Sequence, residues 1–204
     1  MRVAILGGTG PFGRALAVRL AEAGDDVTIG SRDPERAAAV ADELGVRGKR
    51  NEESVGGVDL VVLAVEAGAA LDTARALRTL LEAPLLSVAS RLRFREKSAL
   101  PVDDPKSLAE HIATAVGVPV LAGLHSLAAG KLVRGRPDED ALVCGNDAEA
   151  KELALELASK TVAGNALDVG RIELARSLEG MTAAIINVNR RYRTHAGLRV
   201  TGLP

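Results

Sequence analysis

Gly8, Gly10 and Gly13 stand in the spacing G-x-G-x-x-G, with Thr9, Pro11 and Phe12 between them. This pattern suits a phosphate chemistry. Gly8 lets the backbone turn sharply, Gly10 lets a pyrophosphate approach without meeting a Cβ, and Gly13 lets a following helix pack closely. Ser31, Arg32 and Arg36 form a second cluster, one hydroxyl and two guanidinium groups within six positions. A guanidinium offers several N–H donors to a phosphate monoester. His125, Glu66 and Cys144 complete the side chains whose types could act on a substrate.

The elements around the glycines decide whether they bind anything. Residues 2–6 are a short apolar run of strand type. Residues 14–23 repeat Leu16, Leu20 and Ala23 at helical spacing, and Val27, Thr28 and Ile29 make a second strand. Strand, glycine turn, helix and strand together are the context that a dinucleotide fingerprint needs. The helix N-terminus then presents free N–H groups and its positive dipole end to the phosphates. Where NAD-binding chains place Asp or Glu for the ribose 2′-hydroxyl, this one has Gly30, Ser31 and Arg32. The expected cofactor is therefore NADP, its 2′-phosphate met by Arg32, with Ser31 and Arg36 nearby. Asp33 is expected to cap the next helix, with Pro34 at its first position.

The chain has 204 residues, enough for one domain with an elaboration and a sizeable core. Hydrophobic residues make up 47% and aromatics 1%, so Ala, Val and Leu must fill that core, and little aromatic stacking on a ligand is expected. A formal net charge of −1 offers no general attraction for nucleic acid or a membrane surface. No apolar run is long enough to span a bilayer, and no signal-peptide pattern precedes the first strand. Cys144 is the single cysteine and lies in an apolar run, which suits a buried inert thiol and a reducing cytoplasm. No His and Cys cluster has metal spacing, and neither a P-loop nor G-x-S-x-G occurs.

Along the rest of the chain, strands and helices alternate. Helix is expected over 34–44, 69–81, 107–116, 147–160 and 172–191, with a helical turn at 52–55. Strand is expected over 59–65, 84–88, 118–122, 141–144 and 165–169. Residues 46–51 read as a solvated basic loop. Residues 90–105, with Arg91, Arg93, Arg95 and Lys97, read as a long irregular excursion, either plainly exposed or a basic rim at the site. The fold class is α/β: a Rossmann-type, doubly wound, mostly parallel sheet with a smaller C-terminal α/β extension and a long C-terminal helix. The division is expected between an NADP-binding part, 1–122, and a substrate-side and dimerisation part, 123–204.

These motifs resemble the NADP oxidoreductase family that uses the 8-hydroxy-5-deazaflavin coenzyme, F420. The resemblance runs from the glycine motif through Gly30-Ser31-Arg32 to Leu71–Arg75, Leu124-His125, Val143–Asp147 and Ile186-Asn187, nearly the full length. It implies that Thr9, Ser31, Arg32 and Arg36 bind the NADP phosphates and that Ala64 and Val65 flank the cofactor. It implies that His125 acts at the deazaflavin, with Leu127 and Ala129 against the ring. Basic residues of the loop or tail are then expected to meet the phosphate and glutamate tail of the coenzyme. A homodimer through the C-terminal helix is implied as well.

The chain departs from that family at Val65-Glu66-Ala67-Gly68, where Ile-Pro-Trp or similar is usual, and at Ala128, where proline is usual. Two other readings stay open at this level. One is an NADPH-dependent reductase of an imine or keto substrate, with Glu66 as acid or electrostatic partner. The other is a non-catalytic NADP(H)-binding sensor. A flat apolar slot beyond the nicotinamide favours the deazaflavin, a small polar pocket the imine, and a filled one the sensor.

Overall fold

Apolar strands set the centre of the molecule. In the computed structural model, which describes residues 1–203, β1 (Arg2–Leu6) and β4 (Leu60–Leu63) lie side by side and are buried on both faces. Val3 and Ile5 face one helical layer, Ala4 and Leu6 the other. That two-sided burial is why these strands read as continuous apolar runs. β2 (Asp26–Ser31) pairs with β1, and β3 (Arg47–Arg50) closes that edge. On the other side lie β5 (Leu85–Ser87), β8 (Val120–Gly123), β9 (Ala141–Gly145) and β10 (Ala166–Asp168).

The sheet order is β10-β9-β8-β5-β4-β1-β2-β3. All pairs are parallel except β8 with β9. The expected doubly wound, mostly parallel sheet is therefore present, and the last two strands extend it rather than starting another. The chain reverses its direction of travel across the sheet between β1 and β4. Ligands of such sheets bind in the crevice at the strand ends there.

One helical layer contains α1 (Pro11–Glu22), α2 (Pro34–Leu44) and α7 (Ala148–Thr161). The other contains α4 (Ala67–Leu77), α5 (Leu108–Ala113) and α8 (Ala175–Tyr192), the last preceded by one 3-10 turn, Ile172–Leu174. Local sequence places these ends well. Asp33 accepts from the N–H groups of Glu35 and Arg36 at 3.1 Å each, Pro34 opens α2, and Gly45 ends it at φ +68°. Ser107 and Glu110 form a capping box on α5, and Asp147 caps α7. No helix of the described residues is long and apolar enough to cross a membrane.

Besides the short unexpected helix Ala129–Leu132, two stretches differ from what the sequence suggests. Residues 47–50 form the edge strand β3, not a loop. Their charges conceal it because an edge strand is solvated: Arg47 pairs with Asp26 at 2.5 Å and leaves the ladder intact. Residues 92–101 form a hairpin of β6 (Leu92–Arg95) and β7 (Ser98–Pro101), not an irregular excursion. Glu96 takes the turn at φ +55°. The side-chain amide of Asn187 bonds both the N–H and the C=O of Ala99, at 2.8 Å each, as a neighbouring strand would. The alternation of Leu92 and Phe94 with arginines is the sequence signal for this hairpin.

Candidate active site

The glycine loop is built as the crevice requires, with one exchange of roles. Gly7, not Gly8, carries the left-handed turn out of β1, at φ +81°. Gly8 is needed for space: a Cβ there would come within 2.4 Å of the Ile29 side chain. At Gly13 a Cβ would stand 2.5 Å from the Gly7 carbonyl, so close packing of α1 does depend on it. Neither Gly8 nor Gly13 lines the groove above; Thr9, Gly10, Pro11 and Phe12 do. Gly10 precedes α1 in extended geometry with no side-chain cap. Pro11 has no N–H, and the N–H groups of Phe12 and Gly13 lack acceptors within the helix. This end of α1 is open to an anion.

The groove holds about 920 Å³ and runs from this loop to the end of β2. There it is lined by Ser31, Arg32 and Arg36, as the spacing indicates. Arg14 pairs with Glu43 and Arg47 with Asp26. Arg32 and Arg36 have no ion-pair partner among the described residues. Two free guanidinium groups over an open helix end fit a dinucleotide that bears an extra phosphate. Ala64, Val65 and Glu66, at the end of β4, form the opposite wall with Ala129, the first residue of α6 (Ala129–Leu132). Asn51 also lines this groove, and sequence reasoning misses it. It opens the short helix α3 (Asn51–Ser54) directly after β3. No local signal marks it, because the pairing of Ser31 with Arg50 is what brings it to the end of β2.

A second cavity of about 610 Å³ adjoins the first and shares Phe12, Ala64, Val65 and Glu66 with it. Its walls are largely apolar: Val88, Ala89, Leu92, Phe94, Leu124, Leu127 and Ile186. Leu127 therefore faces this cavity and Ala129 the first. Both phenylalanines of the chain line the second cavity, and the Arg190 guanidinium lies 5.3 Å over the ring of Phe94. Arg91 lies on the rim, but Asp104 holds its guanidinium at 2.7 Å. The same carboxylate takes the Lys106 N–H and His111, and these contacts bring Asp104 down to about 2.

His125 projects into this space from the turn after β8. Leu124 adopts φ +62°, a left-handed conformation uncommon outside glycine, and so redirects the chain. Thr182 of α8 donates to the His125 carbonyl at 2.9 Å and contacts Ser90 at 2.7 Å. His125 is 6% exposed, and neither ring nitrogen has a hydrogen-bond partner. Burial pushes it down to about 4, so it is neutral near pH 7. A backbone group of Ala89 offsets part of that shift without reaching hydrogen-bond geometry. A neutral imidazole has one donor and one acceptor, and both are enclosed here without a partner.

Glu66 is exposed at the junction of the two cavities and makes no cap bond to α4. Cys144 is buried away from both, and burial pushes its thiol up to about 12, which makes it inert as a nucleophile.

Glu179 of α8 braces the cavity wall. It is 4% exposed and accepts from the N–H groups of Leu108 at 2.7 Å and Ala109 at 3.4 Å, with Arg91 N–H at 3.5 Å. Burial outweighs these bonds and raises it to about 7. The folded chain thus holds this proton between its ordinary 4.5 and about 7, where the unfolded chain has released it. Its contribution is fully present below pH 4.5 and is lost as pH rises through 7. His125 acts oppositely, since stability is lost as pH falls from 6.5 toward 4. Glu179→Gln should therefore gain roughly 2–3 kcal/mol on the wild type between pH 5 and 8. Paired thermal melts at the two pH values measure it; an unchanged difference would mean that the carboxylate is ionised throughout.

A model of the family described as NADP oxidoreductase, coenzyme F420-dependent, matches residues 2–91. The F420-dependent NADP reductase of Methanothermobacter marburgensis is 33% identical over 232 residues, covering 100% of both chains. That of Methanocaldococcus jannaschii is 30% identical over 222 residues, covering 100% of this chain and 99% of its own. A crystal structure from Arthrobacter sp. FB24 superposes with a TM-score of 0.85 at 29% identity, covering 98% of this chain and 99% of that one. Full-length identity to these reductases, with the matching fold and open phosphate groove, places the chain in the family of F420-dependent NADP reductases.

Proposed function

We propose that this chain transfers a hydride between NADP(H) and the deazaflavin coenzyme F420. The observation that carries the reading is the meeting of two cavities at Phe12, Ala64, Val65 and Glu66, one open to phosphates and one apolar. The two coenzymes supply the redox chemistry. The chain's own part is to hold, orient and desolvate. The end of α1 and Thr9 bind the pyrophosphate, while Ser31, Arg32 and Arg36 bind the 2′-phosphate. Val65 and Leu127 shield the contact from water. His125 gives a hydrogen bond to the polar edge of the deazaflavin. The space beyond the nicotinamide is open and mainly apolar, which supports the deazaflavin over the sensor reading.

Glu66 gives a second reading its one specific support. An unpaired carboxylate at the junction suits a cationic imine reduced by NADPH. One assay separates the two. F420 absorbance should change when NADP(H) and this protein are both present. Oxidation of NADPH by a cyclic imine, with no change in F420, would replace the first reading by the second.

We further infer a homodimer through α8. Val188 on α8 and Leu174 in the 3-10 turn before it are 41% and 42% exposed, and Met181 and Ile185 lie between them. Sedimentation as a monomer at micromolar concentration would remove this inference. The buried Cys144 is compatible with a reducing cytoplasm, where we place the protein.

A further inference from the structure

We propose that Asn51 is a specificity-determining residue, its side-chain amide hydrogen-bonding the adenosine ribose beside the 2′-phosphate. The inference rests on the NADP reading of the first groove. Asn51 is 6% exposed, yet its Oδ1 has no hydrogen-bond partner. Proteins seldom leave a buried amide oxygen unmet, and the exceptions call for a cause. Here the residue lines the groove together with Ser31, Arg32 and Arg36. A bound ribose hydroxyl is the missing donor.

The place of the amide explains its use. Dinucleotide folds that take NAD present a carboxylate at the end of the second strand, where it accepts from the ribose hydroxyls. This chain has Gly30 and Ser31 there, and Asp33 is occupied as the cap of α2. A Cβ added at Gly30 would stand 2.8 Å from Asn51 Oδ1 and 2.7 Å from Ser54 Oγ. The amide thus fills the space that a side chain from the strand end would take. Ser54 fixes the turn by donating to the Asn51 carbonyl at 2.8 Å. An amide accepts from a hydroxyl as a carboxylate does. It also donates, and it carries no charge to repel a phosphate dianion. The strand-end acid of an NAD site and the neutral Asn51 are two answers to one requirement, separated by the 2′-phosphate.

The test is equilibrium binding by calorimetry on the full chain, with adenosine 2′,5′-bisphosphate and 5′-AMP as probes. Wild type should prefer the bisphosphate. Asn51→Asp should weaken the bisphosphate about tenfold or more while 5′-AMP holds or improves, through charge repulsion. Asn51→Ala should weaken both probes by a similar, smaller factor, and it keeps the test open if a buried carboxylate prevents folding. Wild-type affinities for both probes in both folded variants would overturn the role of Asn51 and leave the NADP reading standing. A wild type that does not prefer the bisphosphate would bring down the NADP reading itself, and this proposal with it.

Discussion

Arg32→Ala should weaken NADPH binding about thirtyfold and change NADH binding less than about threefold. Charge-assisted hydrogen bonds contribute roughly 1.5–3 kcal/mol, which is about ten- to a hundredfold in affinity. Arg32 is exposed, so solvent and salt screen it and the lower half of that range applies. Arg36 lies in the same groove and keeps part of the attraction for the phosphate. NADH has no 2′-phosphate, and the truncation removes nothing from it. Fluorescence titration with both nucleotides at two salt concentrations measures the effect, and the NADPH loss should shrink as salt rises. Equal losses for both nucleotides would show that Arg32 supports the fold of the loop rather than the phosphate.

His125→Ala should lower kcat/KM for F420 about a hundredfold and leave the Kd for NADPH unchanged. The imidazole is buried, neutral and without a partner in a cavity whose other walls are mainly apolar. With Glu66 and Arg91 at the junction and the rim, it is the buried polar side chain of this cavity, suited to orienting a ring that carries carbonyl and hydroxyl edges. Its loss should raise KM and lower kcat together, because a misplaced ring reacts slowly as well as binding weakly. His125→Asn retains a donor and an acceptor and should recover part of the rate. Burial holds the ring down at about 4, so activity should show no inflection from it between pH 6 and 7. A full rate in His125→Ala, with the melt unchanged, would make this histidine a wall residue only.

Both residues are legible in the amino-acid sequence, for different reasons. Arg32 follows a short strand at the position where such folds present a side chain to the ribose, a local relation that survives in the sequence. His125 is legible by resemblance, since nothing in the residues around it separates a site histidine from a buried structural one. The turn that aims it depends on Leu124 in a left-handed conformation, which no sequence rule assigns to leucine. The hairpin of β6 and β7 is hidden by its charge. Leu92 and Phe94 alternate with arginines as strand residues do, but the partner that secures the hairpin is Asn187, far along the chain.

Signals that act within a few residues are thus enough for the fold class, the glycine loop, the cap at Asp33, and the cluster of Ser31, Arg32 and Arg36 in the groove. Backbone sterics and capping bonds are local, and the apolar runs of β1 and β4 announce a sheet covered on both faces. Only tertiary structure decides that Gly7 rather than Gly8 makes the turn, since Ile29 of the next strand occupies the space beside Gly8. Only it brings Asn51 to Gly30, through a strand register that charges alone conceal. It also joins the two cavities at Phe12, from the start of α1, and Ala64, Val65 and Glu66, from the end of β4. Proximity between distant segments follows from how whole strands and helices pack, and that information is spread over every contact rather than written at any one position.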